Sequence, residues 1–336
     1  MNFRHARALA AVTASEMLYA AGVARHHLLN WRAPSHIAEV PHGTLSVKGL
    51  SKVAILLNFD RLSIVHRYVL HQVEALAAAG FAVIFVTNSD RLAPRDLEAL
   101  APRCHAVVRR RNRGYDFGAW RDAIVGLTDT DDLDALLLAN DSVYGPFGPL
   151  DDVMDVMNAA DGDVWALTDS WQRRFHLQSY FMLVHRRALR SEAWHRFWRD
   201  FRHSANKEFV VRRYEIGLTQ ALLRAGLRCR AFLSYDQLAR EVTTASLRNP
   251  TFVDSLFLRR VSEAMAGAVP VNVTHFLWDY MIRRHGFPFI KRDLLMYNRQ
   301  LVPQVHTWRE VVGEQFDFDV TLVDDHLKLG LRNRWR

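Results

Sequence analysis

Short, unbroken apolar runs alternate with helical stretches along the first half of the chain. That alternation predicts an α/β protein with a Rossmann-type, mostly parallel sheet flanked by helices. The runs at residues 53–58 (VAILLN), 81–87 (FAVIFVT) and 135–139 (ALLLA) have no polar face, as strands buried on both sides require. Between the first two, Leu62, Val65, Val69, Val73 and Leu76 recur at helical spacing, and Gly80 stands where a helix should stop.

Taken in order, residues 1–50 read as an amphipathic helix followed by a linker that carries Pro34, Pro41 and Gly43. Arg4 and Arg7 precede an apolar stretch at 8–24, but Glu16 in its middle argues against a secretory signal. After the second strand, a short helix over 94–100 leads to a third strand at 106–109 and a helix over 117–127. The second half is less regular. Strands are expected at 163–168, 179–184 and 228–233, and a helix over 207–225 ends at Gly226. Trp194, Phe197, Trp198 and Phe201 share one aromatic helix and read as core. This gives a main domain over 51–300, with a nucleotide-binding half to 150 and an acceptor half after it. A C-terminal extension over 301–336 follows, with a frayed basic tail.

Composition excludes several classes. Of 336 residues, 49% are hydrophobic and 24% charged, which is ordinary for a globular chain and unlike disorder, collagen or coiled coil. Nothing reaches the roughly 20 apolar residues a membrane helix needs. Cys104 and Cys229 stand far apart, so neither a disulfide framework nor a cysteine zinc site is expected, and a reducing cytoplasm fits. The net charge is +8, and only five of the 44 basic residues are lysine. Arginine's planar fork suits phosphate, whether on a nucleotide, a nucleic acid or an anionic lipid.

In an open α/β sheet, ligands sit beyond the carboxyl ends of the strands. Three such ends are polar: Asn58-Phe59-Asp60, Asn88-Ser89-Asp90 and Asn140-Asp141-Ser142. Each alone would serve as a helix cap; three on one edge suggest a site. Neither GxxxxGK[ST] nor GxGxxG follows the first strand, which weighs against P-loop enzymes and nicotinamide dehydrogenases. Instead the third strand runs into RRRNRGYDFG at 109–118, which places Asn112, Arg113 and Gly114 before a helix start that favours an anion. Asp116 caps that helix or binds a ribose or base. Asp141 is the candidate to hold Mg²⁺ or Mn²⁺, with a substrate diphosphate completing the octahedron. His176, Gln178 and Ser179 put polar groups before a strand, and Glu215 is an exposed helix residue or, if buried near a cleft, a general base.

Several blocks occur in one order: 112–120 (NRGYDFGAW), 140–146 (NDSVYGP), 176–181 (HLQSYF), then Trp278 and 287–295 (FPFIKRDLL). Together they resemble the rhamnan synthesis F family of bacterial polysaccharide proteins, over roughly residues 52 to 298. The resemblance implies a GT-A-like glycosyltransferase, typically a rhamnosyltransferase, that uses a nucleoside-diphosphate sugar such as dTDP-rhamnose. It implies that Asn112, Arg113, Gly114, Asp116, Asn140 and Ser142 hold the donor, to which the strand end adds Asn58 and Asp60, and that Asp141 stands where related enzymes carry an Asp-x-Asp metal motif. One acid replaces two there. Glu215 becomes the first candidate base and Asp169 the second; His176, Gln178 and Ser179 position sugar hydroxyls. The acceptor implied is a lipid-linked cell-surface glycan, with the enzyme cytoplasmic and peripheral at the inner membrane face. Two other readings stay open: a non-catalytic glycan-assembly subunit, and an Arg-rich nucleic-acid-binding protein, which lacks any recognisable nucleic-acid motif.

Overall fold

The computed structural model describes residues 35–248 and 256–332. The N-terminal helix expected at the start of the chain and the frayed tail fall on residues outside these. The linker expected before residue 50 is in part a strand: β1 (Ile37–Gly43) pairs antiparallel with β4 (Ala106–Arg110). Its mostly exposed pattern carries no apolar run.

The remaining elements follow the predicted alternation. They are β2 (Lys52–Asn58), α1 (Arg67–Ala78), β3 (Ala82–Thr87), α2 (Pro94–Leu100), β4, α3 (Tyr115–Gly126) and β5 (Ala135–Asn140). Strands β6 (Val143–Tyr144), β7 (Val164–Ser170), β8 (His176–Leu177), β9 (Phe181–His185) and β10 (Cys229–Leu233) come next. The main sheet has the order β1-β4-β3-β2-β5-β9-β7-β10. Strands β4, β3, β2 and β5 run parallel, β9 runs against β5 and β7, and β10 is parallel to β7. A mostly parallel α/β sheet is therefore what the chain forms.

Alternation along the central strand explains the two layers. Val53, Ile55 and Leu57 pack with Phe117, Trp120 and the aromatic helix α4 (Glu192–Arg199) on one face. Ala54 and Leu56 pack with Tyr68, Val69 and Val73 of α1 on the other. Trp194, Trp198 and Phe201 are buried there as core, with the Trp198 ring stacked 6.1 Å from Phe117. No helix among the described residues is long and apolar enough to cross a membrane.

The chain lays β2, β3 and β4 outward in one direction, then returns to place β5 on the other side of β2. The connections leaving β2 and β5 therefore diverge, and a crevice opens at their carboxyl ends. A second piece of chain closes it. β11 (Ile290–Lys291) pairs antiparallel with β6, and the Arg292 N–H donates to the Ser142 carbonyl at 2.9 Å. The C-terminal helix α7 (Thr321–Arg332) packs on α1. Earlier in the chain, before β11, come α5 (Ile216–Arg224) and α6 (Tyr235–Arg248).

Candidate active site

At the switch point, Asn58 and Asp141 meet. Asn58 Nδ2 donates to Asp141 Oδ2 at 2.9 Å, and the Phe59 N–H donates to the same oxygen at 3.1 Å. Thr87 Oγ1 donates to Asn58 Oδ1, so the first two predicted strand ends and the fourth are linked through side chains. A third partner was not foreseen. Arg292 Nη1 lies 3.1 Å from Asp141 Oδ2 and donates to Tyr68 Oη at 2.8 Å. The residue stood inside the quoted 287–295 block, but nothing local in sequence tied it to Asp141.

The second layer of the site is acidic. Asn140 Nδ2 donates to Asp116 Oδ2 at 2.7 Å, and Asn140 Oδ1 accepts from the Ser142 N–H and Oγ. Burial, reinforced by the neighbouring Asp141 and Glu215 carboxylates, pushes Asp116 up to about 6. Glu215 Oε1 accepts from Ser179 Oγ at 2.8 Å and from the Ser179 N–H at 3.2 Å. Lys291 stands over the Tyr180 ring at 3.6 Å; burial holds it down to about 8, against the pull of Asp293, Glu215 and Asp116. Asp116, Asn140, Asp141, Ser142, Ser179 and Glu215 thus belong to one neighbourhood.

The other nominated residues are held by partners outside this set. Asp169 is buried at the end of β7, where its Oδ1 accepts from the Tyr235 N–H at 2.6 Å. It caps the start of α6, and burial pushes it up to about 6. His176 Nδ1 is bound to the Arg174 carbonyl, and Gln178 Oε1 accepts from Thr168 Oγ1, which also contacts Tyr180 Oη. Asp60 Oδ1 accepts from the Leu62 and Ile64 N–H groups, while its Oδ2 lies 3.2 Å from His66 Nε2. His326 of α7 packs on the His66 ring and contacts Tyr144 Oη at 2.7 Å.

The basic run at 109–113 divides. Arg110 is fully buried and paired with Asp122 at 2.9 Å; its Nη1 also donates to Asn88 Oδ1 at 2.7 Å. Burial alone would raise Asp122, but hydrogen bonding to His203 and the Arg110 charge hold it well below the usual range. Arg110 is therefore a strut beneath the loop, while Asn112 and Arg113 are exposed on it. Gly114 turns the chain into α3 at φ +80°. Gly118 lets the loop close: a Cβ there would sit 2.2 Å from the Arg113 carbonyl oxygen. Gly118→Ala should cost about 1–3 kcal/mol in denaturant unfolding, as overpacking against backbone does. Gly217→Ala, where only Arg212 O lies near at 3.9 Å, should be neutral or stabilising.

Asp141 does not fit a divalent-cation site of the chain's own making. Its Oδ2 already takes two N–H donors and a guanidinium, and one carboxylate is too few to organise an octahedral ion beside a fixed positive charge. Among the described residues, the set of metal-capable groups that do converge is Asp60, His66 and His326, without Asp141.

The rhamnan synthesis protein F profile matches residues 83–254. Virulence protein VirA of Vibrio anguillarum (strain ATCC 68554 / 775) is 29% identical over 247 residues, which cover 71% of this chain and 77% of that protein. Protein y4gN of Sinorhizobium fredii (strain NBRC 101917 / NGR234) is 27% identical over 271 residues, covering 72% and 70%. Two solved structures align more distantly. The galactosyltransferase LgtC, with donor and acceptor sugar analogues, matches 78% of this chain and 96% of its own at 11% identity and a TM-score of 0.37. The bifunctional glycosyltransferase WbbM matches 55% and 39% at 8% identity and a TM-score of 0.29.

Proposed function

The chain belongs to the rhamnan synthesis protein F family, and from that membership we propose that it is a glycosyltransferase. It moves a sugar, by the family's description a rhamnosyl group, from a nucleoside diphosphate to a growing cell-surface glycan. The observation that carries the reading is the crevice where β2 diverges from β5. There an acid, two basic side chains and a candidate base stand at one switch point of a GT-A-like sheet.

Transfer proceeds by inverting displacement. Glu215 takes the proton of an acceptor hydroxyl, whose oxygen forms a bond to the anomeric carbon. The bond from that carbon to the diphosphate oxygen breaks on the opposite face, and the electron pair leaves with the diphosphate. Ser179 holds Glu215 through two hydrogen bonds, so the carboxylate is aimed before the acceptor arrives. Arg292 and Lys291 supply the positive charge for the leaving group, and Asp141 holds Arg292 in place. Asp116, tied through Asn140 to Ser142, lines the donor side together with the exposed Asn112 and Arg113. Asp169 is given a structural part, as the cap of α6. An acceptor carried on a lipid would place the enzyme at the inner membrane face.

Lys291 provides the test. Its proton is lost as pH rises through about 8, so affinity for a nucleoside diphosphate should be full below that value and fall above it. Calorimetric titration across pH 6–9 with Lys291→Arg should remove the fall, because guanidinium stays charged throughout about that range. A wild-type affinity independent of pH between 7 and 9 contradicts the assignment of Lys291 to the diphosphate.

A further inference from the structure

Beyond Glu215 the chain builds a second cation-lined feature. A groove of about 580 Å³ is bordered by Arg173, Arg174, Arg212, Arg213 and Arg224. These five guanidinium groups come from two segments, the loop between β7 and β8 and the helical stretch ending in α5. Glu208 pairs with Arg173 and Arg212. Gln220 ties the two walls together, its Nε2 donating to the Phe175 carbonyl at 2.8 Å. So dense a set of one charge repels itself, and it favours an anion that several forks can grip at once.

The backbone is unusual at this wall of the groove. Residues Val211–Glu215 wind as a π-helical turn, a rare geometry often found at functional positions. The widened turn gives its residues different destinations. Arg212 and Arg213 border the groove, the Tyr214 hydroxyl contacts the Arg202 backbone, and Glu215 binds Ser179. Ile216 and Gly217, next after the candidate base, also line the groove. Glu215, whose charge is felt at Lys291, directly precedes these two groove residues in the chain. Trp171, 43% exposed, lies in the same loop as Arg173 and offers an apolar face.

We propose that this groove binds the phosphate or diphosphate through which the acceptor glycan is carried, seating the acceptor's hydroxyl beside Glu215. The inference rests on the transferase reading above and deepens it by naming the acceptor's chemistry. Concavity distinguishes the site from a flat membrane-binding patch: the groove holds one small polyanion, where a membrane surface needs a convex or planar array.

The probe is inorganic pyrophosphate, titrated into the full chain and into an Arg174→Ala/Arg213→Ala/Arg224→Ala variant. Two binding events are expected for the wild type. The groove event should weaken at least tenfold in the variant and with rising salt, while nucleoside-diphosphate affinity stays unchanged. Equal pyrophosphate binding by both proteins overturns the proposal. So does a variant that keeps pyrophosphate binding but loses adhesion to phosphatidylglycerol vesicles, since the groove would then be a membrane contact. The transferase reading fails separately. Groove binding of pyrophosphate with no nucleoside-diphosphate binding retains the anion site and removes the donor site.

Discussion

Glu215→Gln is expected to lower sugar transfer about 10²–10⁴-fold, the range a positioned general base contributes, with donor affinity within a few-fold of wild type. The substitution preserves shape and keeps an oxygen for Ser179, whose N–H and Oγ both lie within 3.2 Å of Oε1. Fold and donor site should therefore survive, and the loss should appear in kcat alone. Asp169→Asn provides the contrast. That carboxylate is engaged with the Tyr235 N–H at the start of α6, so its replacement should act on stability by roughly the cost of a lost cap, about 0.5–2 kcal/mol, and leave turnover within a few-fold. The reverse pattern, with Asp169→Asn inactive and Glu215→Gln active, assigns the base to β7 and contradicts the mechanism.

Arg292→Gln should lower turnover by about 10²–10³, the loss typical of one preorganised group facing developing negative charge. It also leaves the buried Asp141 without its cation, so a fall in melting temperature should accompany it. Arg292→Lys separates the two effects. A compact ammonium restores charge near Asp141 but cannot span both Asp141 and Tyr68 as the guanidinium does, and partial recovery of rate with most of the stability is expected. Because Arg292 supplies the countercharge, chelator should leave wild-type turnover unchanged. Activity that disappears in chelator and returns with Mn²⁺, alongside an active Arg292→Gln, would transfer the role to a metal at Asp141.

Much of this was legible before any coordinates. The buried strands at 53–58, 81–87 and 135–139 announced themselves because a parallel sheet covered on both faces leaves no polar alternation. Asn58, Asn140 and Asp141 stood at strand ends, and the switch-point rule brought those ends together. β1 was hidden for the opposite reason, since an edge strand exposed along most of its length, with Pro41 in it, carries no apolar run. Arg292 and Lys291 stand within the 287–295 block, where nothing local in sequence assigns them a role. Their place depends on β11 pairing with β6 across nearly 150 positions, a contact no local pattern encodes. Arg110 illustrates the same limit: the four arginines at 109–113 look alike until burial separates a strut from an exposed loop. Asp169, a carboxylate at a strand end, reads from sequence as a second candidate base, and its contact with the Tyr235 N–H emerges only in the fold.

The central claim is that this crevice takes a nucleoside-diphosphate sugar and releases the diphosphate. The most direct measurement presents purified protein with a panel of sugar nucleotides, dTDP-rhamnose among them, in chelator and in Mg²⁺ or Mn²⁺, and reads binding and release together. The account predicts tight binding of one donor and release of its nucleoside diphosphate, undiminished by chelator. A protein that binds no member of the panel under any of these conditions has no donor site, and the non-catalytic reading of the fold then takes its place.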